Sequence, residues 1–373
     1  MAFLPVDFNA FIGRRVAKAR ELAGINQNEL AEKLHFSSRQ ILSNLEKGLR
    51  RATPEELIQL SKILGQPTDF FVDPYYLTEG KELFSWRAKT EEVSQVRKYE
   101  PVARSLISSY MHFSDLLGRT PNLILPQLAL SKDSTYKEVR AIANRLAEQW
   151  NLGDCPPRML LRFMQENLNI EVFFVDVHDS ICGSSVRTEQ LCCVLVNRNH
   201  SEGRRNFSLA HELFHILTWT TLHPDHIGPF VETAEELEAI KSKTEKLANA
   251  FASTIIMPDY LITPLWQQRG ETQLKEWLES TSQKLKVSPD ALFWRLFSLK
   301  LVTKDDKPED LNLSYCCEGL APRLYSKHFV EMTHDVIEKG KVSVRKVASL
   351  LNCTLDDLSD MFRGYSLDVP FDL

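Results

Sequence analysis

His211, Glu212 and His215 stand in the order H-E-x-x-H inside SLAHELFHIL, residues 208–217. On a helix, positions four apart share a face, so both imidazoles can reach one point. They can then offer two nitrogens to a tetrahedral Zn²⁺ at about 2.0–2.1 Å. Glu212 lies to the side of that pair, where a carboxylate can take a proton from water. Two histidines on such a helix can also be core residues satisfied by backbone carbonyls. Leu209, Ala210, Leu213, Phe214, Ile216 and Leu217 surround them, and burying ionisable groups without partners is costly. A third ligand decides between the two.

A metzincin would carry Gly at position 218 and His at 221. Thr218 and Thr221 stand there instead, which excludes that class. Downstream, TEKLANAFASTII (residues 244–256) has helical spacing, with Leu247, Phe251 and Ile255 as its apolar stripe. Glu245 is one turn before Asn249 on it. A glutamate from a following helix completes a His₂Glu set, and Asn249 is placed to accept the far N–H of a ligand histidine. Glu232, Glu235, Glu236 and Glu238 compete with Glu245, but their run reads as a solvated face. His223 and His226 are alternative ligands in a loop around Pro224, and with Tyr260 they are the candidates for stabilising an oxyanion.

These groups need a scaffold. Residues 136–150 and 157–167 have amphipathic helical spacing, and residues 170–175, 183–187 and 191–197 read as strands. A helix from about residue 206 to 218 then carries H-E-x-x-H. A small sheet leading into such a helix is the layout of a zincin core. Residues 272–302 predict a helix pair.

The first 67 residues read differently. Helical spacing runs from Phe8 to Leu64, broken at Gly24, at His35-Phe36 and at Gly48, with caps at Asn26, Ser37 or Ser38, and Thr53. Two short helices joined by a tight turn suit a helix-turn-helix. The second, residues 38–47, presents Arg39, Gln40, Ser43 and Asn44 outward, side chains able to reach base edges in a major groove. Ten Lys and Arg against seven Asp and Glu leave residues 1–66 at +3, in a chain whose net charge is −5, which favours local contact with phosphates. Residues 68–121 predict a linker with one or two helices, interrupted near Pro101. In the tail, VSVRKVASLLNCTLDDLSDMF predicts two short helices in the manner of a helix-turn-helix, read as a helical appendage that packs on the peptidase-like domain or makes a homodimer contact, ahead of the alternative of a second DNA reader.

With 43% hydrophobic and 25% charged residues over 373 positions, the composition is that of a globular protein with several domains. Seven cysteines without a C-x-x-C predict a reduced, cytoplasmic protein and no cysteine-only zinc site. The start lacks a basic segment followed by an apolar run, and no stretch has 18 uninterrupted apolar residues. Neither a signal peptide nor a membrane partner is expected.

GINQNELAEKLHFSSRQILSNLEKG resembles the Xre/Cro family of helix-turn-helix domains. The resemblance implies Gln27, Ser38, Arg39, Gln40 and Ser43 as DNA-facing residues, Glu46 as a structural one, and double-stranded operator DNA as partner. RRNFSLAHELFHIL followed by EKLANAFASTIIMP resembles the ImmA/IrrE family of metallopeptidases over residues 157–258. That resemblance implies Zn²⁺ held by His211, His215 and Glu245, Glu212 as the catalytic base, and cleavage of a partner regulator of repressor or antitoxin type. Members commonly carry an Xre-type domain in front, and FSWRAKTEEVSQ resembles a segment of such fusions. Phe214 departs from the small residues frequent beside the second ligand, a change that would narrow the cleft.

The expected architecture is α+β and mainly helical. It comprises a five-helix helix-turn-helix domain (1–67), a helical connector (68–121), a zincin-like metallopeptidase domain (122–302) and a helical C-terminal region (303–373). Two further functions fit the same residues: a DNA-binding regulator whose metal site is a non-catalytic sensor or relic, and a toxin–antitoxin or phage-defence component.

Overall fold

The computed structural model describes residues 8–76, 84–88, 93–119, 123, 125–188, 190–222, 243–309, 311 and 321–372. It is mostly helical with one small sheet. In chain order the elements begin with α1 (Phe8–Leu22), α2 (Gln27–Lys33), α3 (Arg39–Glu46), α4 (Pro54–Leu64), α5 (Thr68–Val72), β1 (Phe84–Ala88) and α6 (Val93–Leu117). Next come α7 (Tyr136–Gln149), α8 (Pro156–Glu166), β2 (Ile170–Val175), β3 (Ile181–Arg187), β4 (Cys192–Asn197) and α9 (Glu202–Leu217). The remaining helices are α10 (Thr244–Ile256), α11 (Asp259–Gln267), α12 (Leu274–Leu285), α13 (Pro289–Ser298), α14 (Lys327–Glu338), α15 (Val344–Leu351) and α16 (Leu355–Gly364). Among the described residues, no helix is long and apolar enough to cross a membrane.

The chain divides into two compact units. One comprises Met1–Gly80, Val102–Arg119 and Met332–Leu373; the other comprises Lys81–Pro101 and Thr120–Glu331. Helix α6 continues through Pro101, where an interruption is predicted, and the division falls at that proline. A proline removes one backbone N–H from the ladder.

In the first unit, α1–α5 enclose a core of Ile12, Val16, Leu30, Leu42, Leu45, Leu60, Phe70 and Phe71. Asn26 and Thr53 each form a capping box, with Glu29 and Glu56 respectively, which satisfies helix N-terminal amides that would otherwise lack partners. Gly48 has φ 74°, and a side chain there would strike the Ala10 backbone. The turn after α3 can therefore lie on α1 only as glycine.

His112 of α6 packs edge-on to Tyr75 at 4.8 Å. Burial pushes its pKa down from 6.5 to about 4, with Arg15 and Lys346 reinforcing the shift and Asp73 opposing it. The unfolded chain therefore takes up this proton near pH 6.5 and the folded unit only near pH 4. We expect stability from this group to be complete above pH 6.5 and lost as pH falls towards 4, by up to about 3 kcal/mol. Thermal melts across that window should show the loss in the wild type and a flatter profile in His112→Phe. Equal profiles would contradict the assignment.

The second unit is built on a four-stranded sheet in the order β1-β3-β4-β2. β2 and β4 are parallel, while β3 is antiparallel to both β4 and β1. Ile170, Val172, Cys192, Val194 and Val196 turn one face into the main core with α7–α10, α12 and α13. Alternation along β4 sends Cys193, fully buried, to the other face. On that face Phe173 meets Phe329 edge-on at 5.6 Å, and Trp86 meets Tyr99 at 5.9 Å.

Further elements differ from expectation, among them helix α14, which precedes the two helices predicted for the tail. Phe84–Ala88, predicted as linker, is a strand, because its partner β3 supplies the ladder that five residues cannot form alone. Helix α11 has no counterpart among the predicted elements. Its sequence carries Pro264, and tertiary contacts hold its start: Arg295, fully buried, donates to the Met257 carbonyl at 2.8 Å and pairs with Asp259.

Candidate functional site

Helix α9 is capped by Ser201, whose hydroxyl accepts from the Arg204 amide at 3.4 Å. Just before it, Asn197 at the end of β4 donates to the carbonyls of Val177, His178 and Ile181, which ties the β2–β3 loop to the approach. Arg187 of β3 donates to the Ile216 carbonyl at 3.1 Å, fixing the far end of α9 against the sheet. Ser208 and residues 209–217 are all buried. The packing of α9 on β3 and β4, with α10 alongside, therefore decides where His211, Glu212 and His215 point.

His211 Nε2 lies 3.1 Å from His215 Nε2 and 3.1 Å from Glu245 Oε2. His215 Nε2 lies 3.2 Å from Glu245 Oε1. The other ring nitrogen, His211 Nδ1, donates to Asn249 Oδ1 at 3.0 Å. That bond places the ring proton on Nδ1 and turns the Nε2 lone pair towards His215 and Glu245. Burial pushes the Glu245 carboxyl up, but hydrogen bonds and charge from His211 and His215 outweigh it and hold the group well below the carboxylate range.

Two imidazole nitrogens and a carboxylate converging at 3.1–3.2 Å match the edge of a tetrahedron, about 3.3 Å for ligands at 2.0–2.1 Å. The donor set of nitrogen and oxygen suits Zn²⁺. Among the described residues one other trio of this kind gathers, His334, Asp335 and Glu338, but more loosely, with His334 Nδ1 4.0 Å from each carboxylate. Its Asp335 is already engaged by Arg119 at 2.6 Å and Lys339 at 3.0 Å.

Glu212 is buried beside β3. A Cβ on Gly183 would stand 3.4 Å from Glu212 Cγ and 2.8 Å from the Leu195 carbonyl oxygen. The clash with the Leu195 carbonyl oxygen leaves room only for the bare backbone at Gly183, against which the Glu212 side chain lies in ordinary contact. The sequence carried a signal for it, a glycine inside a strand, where close approach of another group is a standard reason. Phe214 packs into the main core, 5.5 Å from Phe251 and 5.8 Å from the His215 ring. Tyr260 donates to the Gly153 carbonyl at 3.4 Å. His223, His226, Glu232, Glu235, Glu236 and Glu238 lie outside the described residues.

In the other unit, Ser38, Arg39 and Gln40 are exposed at the start of α3, and Ser43 and Gln27 are half-buried. Ser38 occupies the N-cap position without a side-chain cap bond. Glu46 accepts from Arg20 Nε at 2.7 Å and from Gln27 Nε2 at 2.6 Å. Arg39 Nε donates to Gln27 Oε1 at 2.9 Å. Arg20, Glu46, Gln27 and Arg39 therefore form one chain of charge-assisted bonds that fixes α3 relative to α1 and α2. Gln40 donates to Asn44 one turn on, at 2.9 Å.

Two known families match separate parts of the chain. Residues 16–71 match the family model described as helix-turn-helix, and residues 165–297 match the one described as IrrE N-terminal-like domain. No curated protein matches the chain.

Proposed function

We propose, for a chain that joins an XRE-type helix-turn-helix to an IrrE/ImmA-like, metallopeptidase-like domain, a DNA-binding regulator that cuts a partner regulator with a zinc-dependent endopeptidase. The observation that carries it is the convergence of His211, His215 and Glu245 beside Glu212 of the same helix. His211, His215 and Glu245 would hold Zn²⁺, and Asn249 fixes the tautomer of His211. Bound Zn²⁺ supplies Lewis acidity, which acidifies water and polarises a carbonyl. Glu212 takes a proton from the attacking water as oxygen adds to the scissile carbonyl carbon. It returns that proton to the leaving amine when the C–N bond breaks. Substrates of repressor or antitoxin type, a toxin–antitoxin or phage-defence setting and a cytoplasmic location belong to the same proposal.

The test is to mix zinc-loaded protein with regulators encoded beside it and look for fragments. Fragments that also form with Glu212→Gln would sink the proposal. A second reading, a metal-dependent sensor without catalysis, is favoured by one observation: Glu212 is only 1% exposed. Zinc-dependent DNA binding with no fragments from any regulator would select it.

For the DNA half, Ser38, Arg39, Gln40, Ser43 and Gln27 face the operator. Arg39→Ala combined with Gln40→Ala should weaken operator binding by at least about tenfold. Wild-type affinity should fall steeply with salt. A gel shift unchanged in the double variant would remove α3 as the reading helix.

A further inference from the structure

β3 is the strand that lies against Glu212, through Gly183. On one side it pairs with β4, which leads directly into α9. A peptide to be cut must bring its backbone to the Glu212 carboxylate. The ladder nearest that carboxylate, apart from the one shared with β4, is the other edge of β3, and that edge is taken. β1 runs antiparallel along it, with Ser85 opposite Ser185, Trp86 opposite Ser184 and Arg87 opposite Gly183.

β1 belongs to the same compact unit as the sheet it completes, but it comes from a distant part of the chain. Strands β2, β3 and β4 are contiguous within residues 170–197, inside the segment that matches the IrrE N-terminal-like family at 165–297. β1 comes from residues 84–88, outside that match. It holds the edge as a bound peptide would. Main-chain pairing runs in register from Phe84 to Arg87 and shifts at Ala88, and alternate side chains enter an apolar site: Phe84 and Trp86 stack at 5.4 Å, each 1% exposed. Peptides added to a sheet edge gain affinity from the ladder and specificity from alternate side chains.

We infer that β1 is an internal ligand of the peptide-binding edge of β3 and keeps the site closed. The segments that compete with it are extended peptides carrying aromatic side chains at alternate positions, as Phe84 and Trp86 do. Cleavage of a bound peptide rests on the peptidase proposal, whereas the binding itself rests on the sheet alone. A free peptide sees only the fraction of molecules in which β1 is released, so its apparent affinity falls by that fraction.

The experiment uses the full chain and a fluorescein-labelled peptide of sequence KELFSWRAKT, with binding read by anisotropy. Proline in β1 cannot donate to the ladder, so Ser85→Pro should bind the peptide at least about tenfold more tightly than wild type. A cross-strand disulfide from Ser85→Cys with Ser185→Cys should abolish binding and restore it on reduction. A peptide with Ser in place of Phe and Trp should not bind. Equal binding by the wild type, the proline variant and the locked form would overturn the inference. If Ser85→Pro does not fold, the disulfide pair decides alone, with circular dichroism as the check on its fold. Peptide bound but left intact by zinc-loaded protein sinks the peptidase proposal and leaves this one standing. Peptide cut equally by locked and reduced protein sinks this one alone.

Discussion

Glu212→Gln should reduce cleavage of a partner regulator by about 10²- to 10⁴-fold, the usual worth of a positioned acid–base group. It should leave zinc stoichiometry and thermal stability unchanged. The substitution keeps the shape of the side chain beside Gly183 and removes only its ability to carry a proton. Glu212 also contributes none of the converging donor atoms, which come from His211, His215 and Glu245. Metal content by mass spectrometry, melting temperature and fragment yield should therefore separate. A variant that loses zinc as well would show that Glu212 holds the site together, and one that cleaves at the wild-type rate would end its assignment as base.

The second large effect concerns the ligands. His215→Ala or Glu245→Ala should abolish stoichiometric zinc binding. Asn249→Ala should weaken it by about 10- to 100-fold, because His211 loses the acceptor that fixes its ring. Zinc that binds only the folded chain stabilises it by about 2.7 kcal/mol at a hundredfold excess over Kd. A chelator should therefore lower the melting temperature of the wild type and of Asn249→Ala, but not of the two ligand variants. Equal zinc content in wild type and Glu245→Ala would remove Glu245 from the site, and the search for a third ligand would move elsewhere.

The helices that bring these residues together are legible in the sequence because their signals are local. His211 and His215 are four apart, as are Glu245 and Asn249, and each pair reports one face of one helix. Asn26, Thr53 and Gly48 mark helix ends by capping and turn chemistry that involves only near neighbours. β1 is not legible, since the pattern FSWRA gains a strand's hydrogen bonds only from residues 181–186, far along the chain. The chain of bonds from Arg20 to Arg39 is half visible. Glu46 reads as structural from the resemblance, but nothing in sequence shows that Gln27 uses its amide nitrogen on Glu46 and its oxygen on Arg39. Arg295 looks like any surface cation until the fold buries it against Met257 and Asp259.

The alternation of β4 has a redox consequence. Cys192 and Cys193 are adjacent in sequence but project from opposite faces of the strand, so they cannot form a disulfide without breaking it. Burial pushes the Cys192 thiol up to about 11, and the Cys193 thiol well above its ordinary range. Thiolate is the form that reacts with peroxides and disulfides, and neither residue offers it near neutral pH. The donor set of His211, His215 and Glu245 contains no sulfur either. Oxidising conditions that strip zinc from cysteine sites would therefore find no sulfur ligand here to attack.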